Sequence, residues 1–155
     1  MKKIINEMKL RLPAISLNES VARTVISAFF AELNPTVEEL SDMRCAVSEA
    51  VTNCIVHAYR GRSDESGCFI YISARLYKPA EISVEISDNG CGIADVESAM
   101  RPNYTTDRES ERCGMGFLVM RSFTDSLTVK SKPGRGTSVL MRKFVKPRRV
   151  EDDEE

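Results

Sequence analysis

Two consecutive stretches of this chain alternate apolar and polar residues with a period of two, and each has a single apolar face. In the first, Ile70, Ile72, Ala74 and Leu76 share a side; in the second, Ile82, Val84 and Ile86 alternate with Glu81, Ser83, Glu85 and Ser87, and Pro79 lies between them. Successive side chains of a strand point to opposite faces, so the pair reads as a half-buried hairpin. A sheet apolar on one face needs a layer of helices against it. The chain supplies that layer. Ser16 followed three positions later by Glu19 is a capping-box signature for a helix running to about Leu33, closed by Asn34-Pro35. Thr36 and Glu39 repeat the signature and open a longer helix to about Tyr59, stopped by Gly61 and the polar run to Gly67.

The remaining elements fit the same plan. Met8, Leu10 and Leu12 alternate with polar residues as a first strand; a short helical stretch follows Gly92 up to Met100; Gly114-Met115-Gly116 leads into an apolar helix ending near Phe123. Leu127 and Val129 mark a fourth strand and Val139 and Met141 a fifth, joined by the turn Pro133-Gly134-Arg135-Gly136. The expected fold is an α/β two-layer sandwich, with a mixed, mostly antiparallel sheet covered on one face by helices. At 155 residues and 42% hydrophobic content the chain can bury one core. The expected division is one domain over residues 1–147 and an acidic, disordered tail over 148–155.

Charge and composition exclude several classes. The 22 basic and 23 acidic residues nearly cancel; the last five residues are all acidic, so residues 1–150 carry 22 − 18 = +4. No direct nucleic-acid binding is expected of so balanced a chain. The N-terminus lacks an apolar core of signal-peptide length, and no apolar run approaches the roughly 20 residues that span a bilayer, so a cytoplasmic protein without membrane contact is expected. Cys45, Cys54, Cys68, Cys91 and Cys113 include no C-x-x-C pair. They read as reduced thiols, structural or incidental.

Four motifs carry candidate chemistry. At about 100° per residue, Glu49, Asn53 and His57 fall on one stripe of the second helix, opposite Leu40, Val47, Val51 and Ala58. Taken in isolation the stripe equally describes the solvated side of an amphipathic helix. Asp88-Asn89-Gly90-Cys91-Gly92 follows the alternating strand directly, setting a carboxylate that can accept from an exocyclic amine beside a glycine-permitted turn. Such a turn also occurs for turn chemistry only. The run Arg112-Cys113-Gly114-Met115-Gly116-Phe117 opens a helix whose free N–H groups and positive dipole end suit a polyphosphate. Before it, the segment from Arg101 to Cys113 holds one aromatic residue, Tyr104, and six charges, the composition of a lid. Gly136-Thr137 places a small hydroxyl at the start of the final strand.

In order, E-x-x-x-N-x-x-x-H, D-x-G-x-G, G-x-G-F and G-T resemble the boxes of the GHKL (Bergerat) ATPase and kinase superfamily. S-E-A-V-T-N with H-A-Y, N-E-S-x-A-R, and Y-T-T with E-R-C-G-M-G-F further resemble the anti-sigma factor F group, from about residue 8 to about 145. The resemblance implies the GHKL fold and Mg²⁺ and ATP as cofactors. It gives Asp88 the adenine amino group, Asn53 the Mg²⁺ bridging the phosphates, and Glu49 the role of general base. Gly90, Gly92, Gly114, Met115 and Gly116 would shape the nucleotide site; Thr105, Thr106 and Arg112 would belong to the lid, and Thr137 to the adenine pocket. Cys91 and Cys113 stand where the family favours small residues, and Ala58 where glycine is common.

By the same resemblance, the chain is a serine kinase and a homodimer that sequesters a sporulation sigma factor of RNA polymerase in an ATP-dependent manner. It would phosphorylate a serine of a competing anti-anti-sigma factor. Glu19 and Arg23, spaced i and i+4 and read as facing away from Val21, Val25 and Phe29, are the candidate partner contacts. The rival readings are a stress-response anti-sigma kinase and a sigma sequestrator that holds nucleotide without transferring phosphate. A sensor histidine kinase would need a phosphoacceptor domain, and a topoisomerase-type ATPase would need clamp domains for which 155 residues leave no room.

Overall fold

The computed structural model describes residues 1–64, 66–101 and 115–148. The assignments made to Thr105, Thr106, Arg112, Cys113 and Gly114, and to the tail beyond residue 148, lie outside the described residues. The elements run β1 (Ile4–Pro13), α1 (Leu17–Ala31), α2 (Val37–Asn53), a π-turn (Cys54–Ala58), β2 (Phe69–Tyr77), β3 (Glu81–Ser87), α3 (Val96–Ala99), α4 (Gly116–Phe123), β4 (Ser126–Lys132) and β5 (Gly136–Phe144). The strands form one sheet in the order β1-β2-β3-β5-β4. Every pairing among them is antiparallel, so the mostly antiparallel sheet read from the sequence has no parallel pair among the described residues.

The alternation places the core as expected. Ile70, Ile72, Ala74 and Leu76 of β2 and Ile82, Val84 and Ile86 of β3 are buried on the helix side, with Val139 and Met141 of β5. Against them α2 packs Met43, Ala46, Val47, Ala50 and Val51, α1 packs Ala22, Ile26 and Phe30, and α4 packs Met120. Each large side chain in this group stabilises the fold by about 1.5–3 kcal/mol relative to exposure.

The two capping signatures part company. Thr36 accepts from the Glu39 N–H at 3.1 Å while Glu39 accepts from the Thr36 N–H at 2.9 Å, a complete capping box. Burial opposes ionisation of Glu39, but bonds from the Lys146 and Thr36 N–H groups more than offset it and hold its pKa below the ordinary value. At Ser16 the backbone is already helical and the side chain makes no cap. Glu19 is drawn elsewhere: it accepts from the Ser48 hydroxyl of α2 and pairs with Arg23 at 3.7 Å.

The face of α1 also differs by one residue from the expected one. Asn18, Ala22, Ile26 and Phe30 are buried, while Val21 is 38% exposed. Both stripes satisfy a period of 3.6, and the approach to α2, eased by the small Ala22, selects between them. Three further boundaries shift. The first strand extends to Ile4, the second helix widens into a π-turn after Asn53 rather than continuing to Tyr59, and only Val96–Ala99 of the stretch before Met100 is helical. Among the described residues, no helix is long and apolar enough to cross a membrane.

The capping difference is measurable. Thr36→Ala should cost about 1 kcal/mol, whereas Ser16→Ala should cost less than about 0.5 kcal/mol, in urea unfolding monitored by circular dichroism.

Candidate functional site

The end of α2 and the end of β3 meet at one backbone seam. Where the helix widens into the π-turn, the Ala58 carbonyl accepts from the Cys91 N–H at 2.7 Å. A Cβ on Gly90 would lie 2.1 Å from that same carbonyl oxygen, which leaves glycine as the residue that fits. Gly92, with φ +70°, is equally constrained: its Cβ would lie 2.1 Å from the Lys132 carbonyl oxygen. Tyr59 locks the seam from behind, its hydroxyl accepting from the N–H groups of Asn89 at 3.0 Å and Phe69 at 3.2 Å.

These contacts open a cavity of about 430 Å³ between α2, the Asp88 loop, α4 and the start of β5. The volume lies in the range of small-ligand sites. Glu49, Asn53, His57, Asp88, Gly92, Met115, Gly116 and Thr137 all line it, so the polar stripe of α2 faces a cavity rather than bulk solvent. Gly90 does not line it and acts through the seam. Glu19 and Arg23 stand apart, at the junction of α1 and α2; Arg23 Nε is buried without a hydrogen-bond partner among the described residues.

The cavity has two chemically distinct regions. Around Asp88 the walls are Cys54, Ile86, Thr137 and Val139. Asp88 is 7% exposed; its Oδ1 accepts from the Gly90 N–H at 2.9 Å and its Oδ2 from the Cys54 thiol at 3.6 Å. Burial pushes the Asp88 carboxyl above its ordinary value, against the opposing pull of the Gly90 and Cys54 bonds. Burial, followed by the Asp88 charge, drives the Cys54 thiol well above its usual value, so it stays a donor. In the second region, a Cβ on Gly116 would lie 3.2 Å from Glu49 Oε2 and 3.5 Å from Asn53 Oδ1. A carboxylate and a carboxamide thus converge on the first residue of α4, where the N–H groups of the opening turn lack intrahelical partners. An amide oxygen and a carboxylate oxygen suit a hard cation that keeps phosphate and water among its ligands.

Residues 13–143 match the family described as histidine kinase-like ATPase domain. The anti-sigma F factor of Caldanaerobacter subterraneus subsp. tengcongensis is 51% identical over 140 residues, which cover 90% of this chain and 94% of that relative. The chain belongs to the anti-sigma F factor family. Two solved structures share its fold at lower identity. The RsbU and RsbW domains of Rv1364c from Mycobacterium tuberculosis superpose with a TM-score of 0.66 at 17% identity, over 92% of this chain and 33% of that one. The SiaB-SiaC complex from Pseudomonas aeruginosa gives 0.57 at 12% identity, over 92% of this chain and 91% of that one. This member of the anti-sigma F factor family therefore has a cavity lined by residues of the boxes read from its sequence.

Cys54, Tyr59 and Ser131 were not singled out by sequence reasoning. Tyr59 sits inside the H-A-Y run, but nothing in its spacing announces a hydroxyl that ties two separate loops. Ser131 receives the Ile93 N–H at 2.8 Å. It stands in phase with Leu127 and Val129 on the inward side of β4, and a polar residue continuing an apolar alternation is the signal that could have found it.

Because burial raises the folded pKa of Asp88 above the ordinary 3.8, the resulting stability is full below that value and is lost as pH rises through the folded one. Above the folded value the ionised carboxylate weighs against the empty fold. Asp88→Asn, which cannot ionise, should remove the fall in apo Tm that the wild type shows as pH rises through the folded Asp88 value, while weakening ATP binding in calorimetry. A variant that lacks this fall but keeps wild-type ATP affinity would remove Asp88 from base recognition.

Proposed function

We propose that this chain binds Mg-ATP in the cavity, holds a sporulation sigma factor of RNA polymerase in the ATP state, and transfers the γ-phosphoryl group to a serine of an anti-anti-sigma protein. The observation that supports this most is the convergence of Glu49 and Asn53 on the opening residue of α4. Catalysis of phosphoryl transfer is largely positioning and charge stabilisation. The α4 N–H groups favour phosphate oxygens there, Asn53 would hold Mg²⁺, and Glu49 stands beside both. Bound Mg²⁺ supplies charge neutralisation to the phosphates. Glu49 accepts the proton of the partner serine hydroxyl as that oxygen attacks the γ-phosphorus, while the bond from the γ-phosphorus to the β,γ-bridging oxygen breaks and ADP leaves.

In this reading Asp88 and Thr137 recognise the adenine, Gly90, Gly92, Gly114, Met115 and Gly116 shape the nucleotide site, and Thr105, Thr106 and Arg112 belong to a lid over the phosphates. The active species is a cytoplasmic homodimer of one domain over residues 1–147 with an acidic tail. The anti-sigma F factor relatives support the sigma partner by name. The SiaB-SiaC complex has a chain of this fold within a two-protein assembly, which favours a second protein partner here. Glu19 and Arg23 contact those partners: the Ser48 bond fixes Glu19, and the Arg23 side chain, 36% exposed, is held beside it.

Glu49→Gln keeps shape and hydrogen-bond reach but removes the basic carboxylate. Phosphorylation of the partner serine, followed with radiolabelled ATP, should fall by on the order of 10²-fold or more, with ATP and sigma affinities within a few-fold of wild type. An unaffected rate would place the base elsewhere, and no transfer by the wild type would favour a sequestrator without kinase activity. Arg23→Glu should weaken both protein partners by about tenfold or more without altering ATP affinity. Unchanged partner affinities would dismiss the α1 contact.

A further inference from the structure

We infer that Ser131, which does not line the cavity, sets its base specificity by fixing the direction in which the Thr137 hydroxyl proton points. The inference rests on the reading that the Asp88 region of the cavity receives a purine. It follows from counting protons around one oxygen. Ser131 Oγ lies 2.9 Å from the Gly136 carbonyl oxygen, 2.8 Å from the Ile93 N–H nitrogen and 2.8 Å from Thr137 Oγ1. A carbonyl can only accept and a backbone N–H can only donate. The single Ser131 proton therefore goes to Gly136, and one Ser131 lone pair is taken by Ile93. The contact with Thr137 remains, and Ser131 has no second proton to give it. Thr137 must donate to Ser131.

With its proton turned outward to β4, the Thr137 hydroxyl presents only lone pairs to the cavity that it lines. It stands next to Asp88, whose N–H donates to the Thr137 carbonyl at 2.9 Å. The Asp88 carboxylate already receives the Gly90 N–H and the Cys54 thiol, and it too has only acceptor capacity to offer a ligand. Asp88 and Thr137 together thus present acceptors without a donor. A 6-amino group, with two protons to give, satisfies both; a 6-oxo purine has only its ring N–H to donate to one of them and sets its carbonyl oxygen against the lone pairs of the other. Ser131 is a positioning residue in this device, since it touches Thr137 and not the base. Removing its hydroxyl lets the Thr137 proton rotate into the cavity and donate to a 6-oxo group.

The probes are ATP and inosine triphosphate, which differ in the base only by the 6-amino to 6-oxo exchange and the proton on the adjacent nitrogen. Calorimetry on the full chain should give a wild-type preference for ATP of roughly 10²-fold or more. Ser131→Ala should shrink that preference by about tenfold, chiefly through tighter inosine triphosphate binding. Ser131→Thr, which keeps a hydroxyl, should restore it, and Ser131→Ala should change nothing further in a Thr137→Val background. A simple loosening of the fold would weaken both nucleotides together. ATP binding with an unchanged preference in Ser131→Ala would overturn the inference and leave the nucleotide reading intact. Failure of the wild type to bind ATP would overturn both. If Ser131→Ala does not fold, Thr137→Val decides: a loss larger for ATP supports an acceptor role, and a loss larger for inosine triphosphate refutes it.

Discussion

The site depends on the close approach of two backbones. The Ala58 carbonyl, delivered by the π-turn that ends the second helix, meets the Cys91 N–H at 2.7 Å over Gly90. Ala58 is the last residue of that turn, and the last carbonyls of a helix have no intrahelical partner. That carbonyl closes the bond that joins the helix layer to the loop after β3. Without it the loop that carries Asp88 would not be held against the stripe of Glu49, Asn53 and His57. Tyr59, the next residue along, ties the Asn89 N–H and β2 to the same point. A side chain at position 90 would push the two backbones apart, so the cavity exists because one residue there has no Cβ.

Once the seam is closed, the polarity of the cavity is set by which groups donate and which accept. The Asp88 region offers acceptors, and the opening turn of α4 offers N–H donors beside Glu49 and Asn53. A ligand with an amine at one end and a polyphosphate at the other complements both. The placement of α4 is itself secured from its far end, where the buried Lys143 ammonium of β5 donates to the Phe123 carbonyl at 2.9 Å and to Asp42 of α2 at 3.3 Å. A cation at the C-terminal end of a helix also complements its dipole. The same helix therefore carries a structural cation at one end and an anion-favouring turn at the other.

Much of this was legible in the residues. The period-two runs at 70–76 and 82–86 named two central strands and their buried face. The polar stripe on the second helix, the glycine turn after Asp88 and the glycines before Phe117 named Glu49, Asn53, His57, Asp88, Gly92, Met115 and Gly116 of the cavity lining. The misreadings were of particular kinds. Ser16-x-x-Glu19 and Thr36-x-x-Glu39 are alike as patterns, yet only the second forms a box, because Ser48 of a neighbouring helix competes for Glu19. The stripe at Val21, Val25 and Phe29 and the stripe at Ala22, Ile26 and Phe30 have the same period, and only helix packing distinguishes them.

The chain's own order of residues determined the elements, their amphipathic faces and the spacing of the polar groups along each, because these arise from contacts a few residues apart. Tertiary structure alone decided which groups meet across large separations: Asp88 with Cys54, Gly116 with Glu49, Ser131 with Ile93. It also decided the strand order, in which β5 lies between β3 and β4. The direction of the Thr137 proton belongs to this second class. A hydroxyl is donor and acceptor at once in the sequence, and it becomes one or the other only when its neighbours are in place, here Ser131 from β4 and, against Ser131, Ile93 from the loop after β3.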